Sequence, residues 1–302
     1  MTGTELISFL SNNFPTISST VGAVTGALFT AVFLRHNTSV QEFEKIKAGQ
    51  FKELADTLLS EGKMTFTEYY KANNFLKVAQ KADEYYSQMQ HDTPVESHDF
   101  DWFIRCYEAV GNISDDEMQD LWAKMLAGQI DRPTSFSLRL IDILRNMSTQ
   151  EARLFQDTCF KAIQTNDNIF MPRNREYMQE FGINYSDIMR LDELGLINSA
   201  GSLVLKIPIS HTAIHITSNE SLIIVAKSID SSDQTLSVEQ YPFTSAGKEL
   251  ASLYGITPSD EQLTTFAKGL QNKSGVKVCL HRIVDRSDGY IQHENTDLLD
   301  AE

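Results

Sequence analysis

Residues 18–34 read SSTVGAVTGALFTAVFL, an apolar run rich in small residues with Arg35 directly after it. Between Glu5 and Arg35 no side chain carries a charge. A helix rises about 1.5 Å per residue, so about 20 residues cross a roughly 30 Å hydrocarbon core. Thr16–Leu34 is just long enough, and Pro15 stands where a helix start tolerates proline. A signal peptide needs a basic region before the apolar run. Here the leading residues, MTGTELISFLSNNF, carry only Glu5, and the basic residues Arg35, Lys45, Lys47 and Lys52 come afterwards. That order places the C-terminal side in the cytoplasm. The other rival, an ordinary buried helix in a soluble protein, is kept open by the moderate hydrophobicity and many hydroxyls. The reading adopted is a single membrane helix within residues 1–36.

Within that helix Ser18, Gly22, Gly26 and Thr30 recur every four residues, and Ser19, Ala23, Ala27 and Ala31 do so one position along. Small residues at this spacing let helix backbones approach closely, which drives association in lipid. The strip Ser18, Gly22, Ala23, Gly26, Ala27 and Thr30 is therefore the expected packing surface. One span cannot conduct ions alone, so a channel requires a homo-oligomer.

The 302-residue chain carries a formal charge of -15. That excludes generic binding of nucleic acid or anionic lipid over its whole surface, though not a local basic pocket. A hydrophobic content of 41% is enough for a packed core. Cys106, Cys159 and Cys279 are odd in number and far apart, which fits reduced, packed thiols rather than a disulfide framework or Cys-x-x-Cys metal site.

After the apolar segment the pattern is helical. Residues 37–95 carry two amphipathic stripes, one with Phe43, Ile46, Phe51 and Leu54, the other with Phe66, Tyr69, Phe75 and Leu76. They read as a juxtamembrane stalk or a helical hairpin. Residues 96–200 read as a helical core, with capping boxes at Ser114–Glu117 and Ser148–Glu151 and a helix capped by Ser186 that Gly195 stops. Residues 201–302 read as a small α/β unit with strands at Leu203–Leu205, His215–Ser218, Leu222–Ala226 and Val276–Val284 and an acidic, frayed tail. A helix ending Leu-Gly-Leu-Ile before a strand resembles the recognition helix and wing of a winged helix. The expected fold is thus mainly α, with a winged-helix-like α/β unit at its C-terminal end.

Chemical motifs are sparse. His211 and His215 have zinc-helix spacing, but the intervening Glu is absent and the context is strand-like. Asp115, Asp116, Glu117 and Asp120 suit a helix N-terminus better than a metal. No phosphate-binding loop and no nucleophile elbow occurs. Neither cofactor nor metal is expected, and the sequence makes no positive case for an enzyme. Basic residues gather between Arg132 and Arg175. Arg132, Arg139, Arg173 and Arg175 are the candidates for an anionic ligand, because guanidinium forks suit phosphates.

The stretch Leu121–Phe155, LWAKMLAGQIDRPTSFSLRLIDILRNMSTQEARLF, resembles the Abi-alpha-like domains associated with bacterial abortive-infection defence against phage. Trp122, Ala123, Leu126, Ala127, Pro133, Ser135, Phe136, Ser137, Arg139, Leu144 and Ser148 stand at the matching places, while Met125 and Met147 replace usual leucines. With LDELGLI and FTSAGKEL the likeness covers about residues 115–255. A membrane helix joined to such a domain is similar to the transmembrane effectors of Hailong defence systems. The resemblance implies an antiviral, homo-oligomeric and tetrameric ion channel in the bacterial inner membrane. It also implies control by a nucleotide or single-stranded DNA oligomer made by a partner nucleotidyltransferase. A membrane-anchored or soluble winged-helix-like adaptor, binding protein or nucleic acid without a pore, is the alternative.

Overall fold

A computed structural model describes residues 55–62, 64–89, 100–165, 168–200, 203–210, 212–230, 232–271, 275–287 and 290–300. The chain divides into two compact units, residues 1–149 and 150–302.

The described part of the first unit is helical. Helix α1 (Phe66–Gln88) starts at a capping box in which Thr65 and Glu68 bond each other's backbone N–H. It buries Ala72, Phe75, Val78, Ala79 and Ala82 along one stripe. Helix α2 is Phe100–Val110, α3 is Asp116–Asp131 and α4 is Leu138–Asn146. Asn74 Nδ2 donates to Gly111 O at 3.0 Å, Lys81 Nζ meets Asp116 Oδ1 at 3.0 Å, and the Tyr85 hydroxyl donates to Asp120 Oδ1 at 2.6 Å. The partner numbers climb together, so α1 and α3 run parallel and α2 is the return between them. The cap of α3 is Asp115, which accepts from the Met118 N–H, one residue later than the expected Ser114.

The expected motif Leu121–Ser148 is mostly packing. Trp122, Ala123, Leu126, Ala127 and Leu144 are fully buried. Ser135 Oγ donates to Arg132 O at 2.6 Å, buried Gln129 accepts the Phe136 N–H at 3.1 Å, and Ser137 caps α4. Between them Thr134 takes φ 71°, a left-handed conformation that β-branched residues adopt at a cost.

The second unit mixes helices with two four-stranded antiparallel sheets. Helix α5 (Thr149–Phe160) enters it, followed by β1 (Ile163–Gln164), β2 (Ile169–Pro172), α6 (Arg175–Glu180) and α7 (Tyr185–Glu193). Then come β3 (Val204–Ile209), β4 (Ile214–Ser218), β5 (Leu222–Ser228) and β6 (Gln234–Pro242). Helices α8 (Ser245–Ala251) and α9 (Asp260–Leu270) and strands β7 (Val276–Ser287) and β8 (Tyr290–His293) complete it. One sheet has the order β1-β2-β6-β3, the other β4-β5-β7-β8. The path α5, β2, α6, α7, β3, β6, with β6 between β2 and β3, is the connectivity of a winged helix. The place of the wing is taken by residues 210–233, which leave to build β4 and β5.

Local chemistry explains the turns of this unit. Helix α7 ends in a Schellman motif: Gly195 (φ 74°) donates to Asp192 O and Leu196 to Leu191 O. Its N-cap is Asn184, not the expected Ser186, and makes no side-chain cap bond. Thr244 caps α8 and also donates to Gly195 O at 2.6 Å, drawing α8 onto the end of α7. The core gathers Phe155, Phe170, Leu191, Leu196 and Leu250, all fully buried. Phe266 of α9 sits 5.9 Å from Phe170 and 6.4 Å from Tyr177.

These observations correct the expected fold. Of the described residues 49% are helical and 23% lie in strands, so the described part of the chain is mixed α and β rather than mainly α. Strands β1 and β2 fall in the supposed helical core, and β6 was unforeseen. Among the described residues no helix is long and apolar enough to cross a membrane. Thr16–Leu34, with Ser18, Gly22, Ala23, Gly26, Ala27 and Thr30, lies outside the described residues, as does the stripe Phe43–Leu54. The described part of the tail is tied down rather than frayed. Leu298 N donates to Leu280 O at 2.9 Å, and Asp297 Oδ1 accepts from Leu280 N at 3.0 Å.

Candidate functional site

Helix α2 has two faces. Trp102, Phe103, Cys106, Ala109 and Val110 are buried, and that apolar stripe is why the segment folds as a helix against the unit's core. Asp101, Arg105 and Glu108, at i, i+4 and i+7, form the opposite, exposed stripe. Helix α4 buries Leu140, Ile141 and Leu144 and leaves Asp142 and Arg145 exposed. The two polar edges enclose a cleft of about 410 Å³ with Ile104 and Ile141 between them. Arg105 and Arg145 supply guanidinium groups, and Asp101, Glu108 and Asp142 supply carboxylates. Among the described residues none of these five makes an ion pair within 4.0 Å. The size suits a small ligand, and the arginines can each grip a carboxylate or phosphate with two parallel bonds.

The arginines singled out from sequence lie elsewhere. Arg132, at the end of α3, pairs with Asp131 at 3.5 Å, and Arg139 is exposed on α4. Arg173 and Arg175 belong to the second unit; the Arg173 guanidinium lies 5.6 Å from the Tyr241 ring centre, and Arg175 opens α6. None of the four lines the cleft. Arg145, from the same basic stretch, does. Arg105 was missed, and its signal was the i, i+4, i+7 run of charges opposite an apolar stripe.

Other candidates resolve into structure. Asp116 pairs with Lys81, and Asp120 accepts from Tyr85 and pairs with Lys124 at 3.0 Å. Cys106 and Cys159 are buried, and burial pushes both thiols far above their ordinary range, away from nucleophilic reactivity. His215 lies on β4, and His211 is outside the described residues. Among the described residues no group of three or more His, Cys, Asp or Glu is placed to hold a metal.

The winged-helix connectivity raises a second surface. In DNA-binding helix-turn-helix proteins the recognition helix enters the major groove. Here that position is α7, which carries Asp187, Asp192 and Glu193 against Arg190 alone. Arg190 already pairs with Glu151 at 3.4 Å. A helix so charged repels phosphates rather than neutralising them.

A family model described as "Protein of unknown function (DUF2806)" matches residues 61–267. No curated protein and no solved structure matches the chain.

Proposed function

The chain belongs to the DUF2806 family, and we propose that it is a ligand-controlled effector whose first unit receives an anionic signal. The observation that carries this reading is the cleft between α2 and α4, where two guanidiniums stand without a carboxylate partner among the described residues. In the form implied by the Abi-alpha-like resemblance, the signal is a nucleotide or single-stranded DNA oligomer from a partner nucleotidyltransferase. The effect is then a current through a homo-oligomer in the bacterial inner membrane. Support for the membrane part comes from the uncharged sequence Thr16–Leu34. A ligand gates such an assembly only by binding two of its states with different affinity.

The test is expression of the full chain in bacteria with growth and membrane current as readouts. The double variant Arg105→Gln, Arg145→Gln is expected to uncouple the current from the signal at unchanged expression. Gly22→Leu or Gly26→Leu is expected to abolish it. A current that responds normally in the arginine variant sinks the reading, and so does a full chain that fractionates as a soluble monomer.

The adaptor reading has one observation of its own, the winged-helix connectivity of the second unit. The acidic α7 directs that reading to a protein partner rather than a duplex. Salt-resistant duplex binding that disappears in Arg190→Ala is the result that reverses this preference.

A further inference from the structure

The α2–α4 cleft holds charges of both signs, none of them in an ion pair among the described residues. Asp101–Arg105 and Asp142–Arg145 stand at i, i+4 and i, i+3, spacings at which helix ion pairs readily form. Neither pair closes to 4.0 Å, and none forms across the cleft among the described residues. Five formal charges, three negative and two positive, therefore face one volume of about 410 Å³.

This distribution selects among anions. A bare phosphate or pyrophosphate meets two attracting guanidiniums and three repelling carboxylates, and like charges brought together cost binding energy. A ligand whose acid group is accompanied by N–H donors meets the guanidiniums with the acid group and the carboxylates with the donors. Charge-assisted bonds of both kinds are the strong ones. Ile104 and Ile141 leave an apolar strip for the carbon frame between the two ends.

We infer that the cleft takes a ligand that joins an acid group to N–H donors and refuses anions without N–H groups. The inference rests on the cleft being the ligand site and restricts what enters it. Two sources share the chemistry: a zwitterion of the amino-acid or peptide class, and a nucleotide whose base carries an exocyclic amino group.

Isothermal titration of the full chain with four probes tests it: pyrophosphate, ribose 5-phosphate, the dipeptide glycyl-leucine, and deoxycytidine monophosphate. At least one of the last two is expected to bind about tenfold or more tighter than ribose 5-phosphate, and which one identifies the source. The triple variant Asp101→Asn, Glu108→Gln, Asp142→Asn is expected to close that gap and to admit pyrophosphate. Arg105→Gln with Arg145→Gln is expected to abolish binding of every probe. All five side chains are exposed, and circular dichroism verifies that the variants fold. Equal binding of ribose 5-phosphate and the amine-bearing probes, lost in the arginine variant, overturns the inference while the cleft remains a ligand site. Failure of all four probes to bind the unaltered chain overturns both.

Discussion

The hydroxyl of Tyr85 donates to Asp120 Oδ1 at 2.6 Å, and Lys124 pairs with the other carboxylate oxygen at 3.0 Å while lying 5.3 Å from the Tyr85 ring centre. This cluster ties α1 to α3. Burial pushes the Asp120 carboxyl up, but bonds from Tyr85 and Lys124 more than reverse that, so it titrates below its ordinary value. Burial and the same carboxylate push the Tyr85 phenol up to about 12.

Asp120→Asn is therefore expected to cost about 1–2 kcal/mol near neutral pH, the scale of a hydrogen bond to a charged group at a partly exposed site. The pH dependence follows from the two directions. A depressed carboxyl stabilises above its unfolded value near 3.9 and loses that contribution as pH falls through the folded value. A raised phenol stabilises below about 10 and loses that contribution as pH rises through 12. Urea unfolding of both proteins should show a difference that is level between about pH 5 and 9 and shrinks on either side. A difference undiminished at pH 3 contradicts the assignment.

Gly247→Ala should be among the most damaging small changes in the second unit. A Cβ there would fall on the carbonyl oxygen of Leu196, and that carbonyl belongs to the Schellman turn ending α7. Backbone cannot swing aside as a long side chain does, so a loss of about 3 kcal/mol is expected. Thermal unfolding checks it, and a melting temperature within a degree or two of the parent's would show that α8 shifts freely.

Thr134→Asn should have the opposite sign. Thr134 is exposed and holds φ 71°, where asparagine is far more at ease than a β-branched residue. A gain of about 0.5–1 kcal/mol is expected. A fall in stability would mean that the threonine side chain supports the turn between α3 and α4.

Asn219 closes the turn between β4 and β5. Its Oδ1 accepts from Ser221 N and Leu222 N, and its Nδ2 donates to Pro258 O and Asp260 Oδ1. Asn219→Ala strands a buried backbone N–H at Leu222 and should cost about 2–3 kcal/mol. Hydrogen exchange at Leu222 is the local readout, and unchanged protection there would remove the argument.

How far the sequence could be read depended on whether its signals were local. The helices announced themselves through caps and stripes, and Gly195 marked the end of α7. Strand β2 has only four residues, too few for an alternation to declare itself. Strand β6 alternates Leu236, Val238 and Gln240 inward, and a buried glutamine breaks the apolar pattern that would have revealed it. The cleft was hidden for a different reason. Asp101, Arg105 and Glu108 look like any solvated helix face until α4 is brought beside them, and only tertiary structure does that.

The displacement of the wing into a second sheet sets an order on synthesis. β5, LIIVAKS, buries Leu222 through Ala226 without interruption, yet its neighbour on one edge is β7, which begins only at Val276. Once the ribosome has passed Pro242, strands β2, β3 and β6 have all their pairing partners, while β7 is still more than 30 residues away. The run of five core residues in β5 still lacks one of its own. Such runs are the segments that nucleate aggregation in partly made chains. Cutting the chain before Val276 would thus leave one edge of the buried strand β5 without its β7 partner.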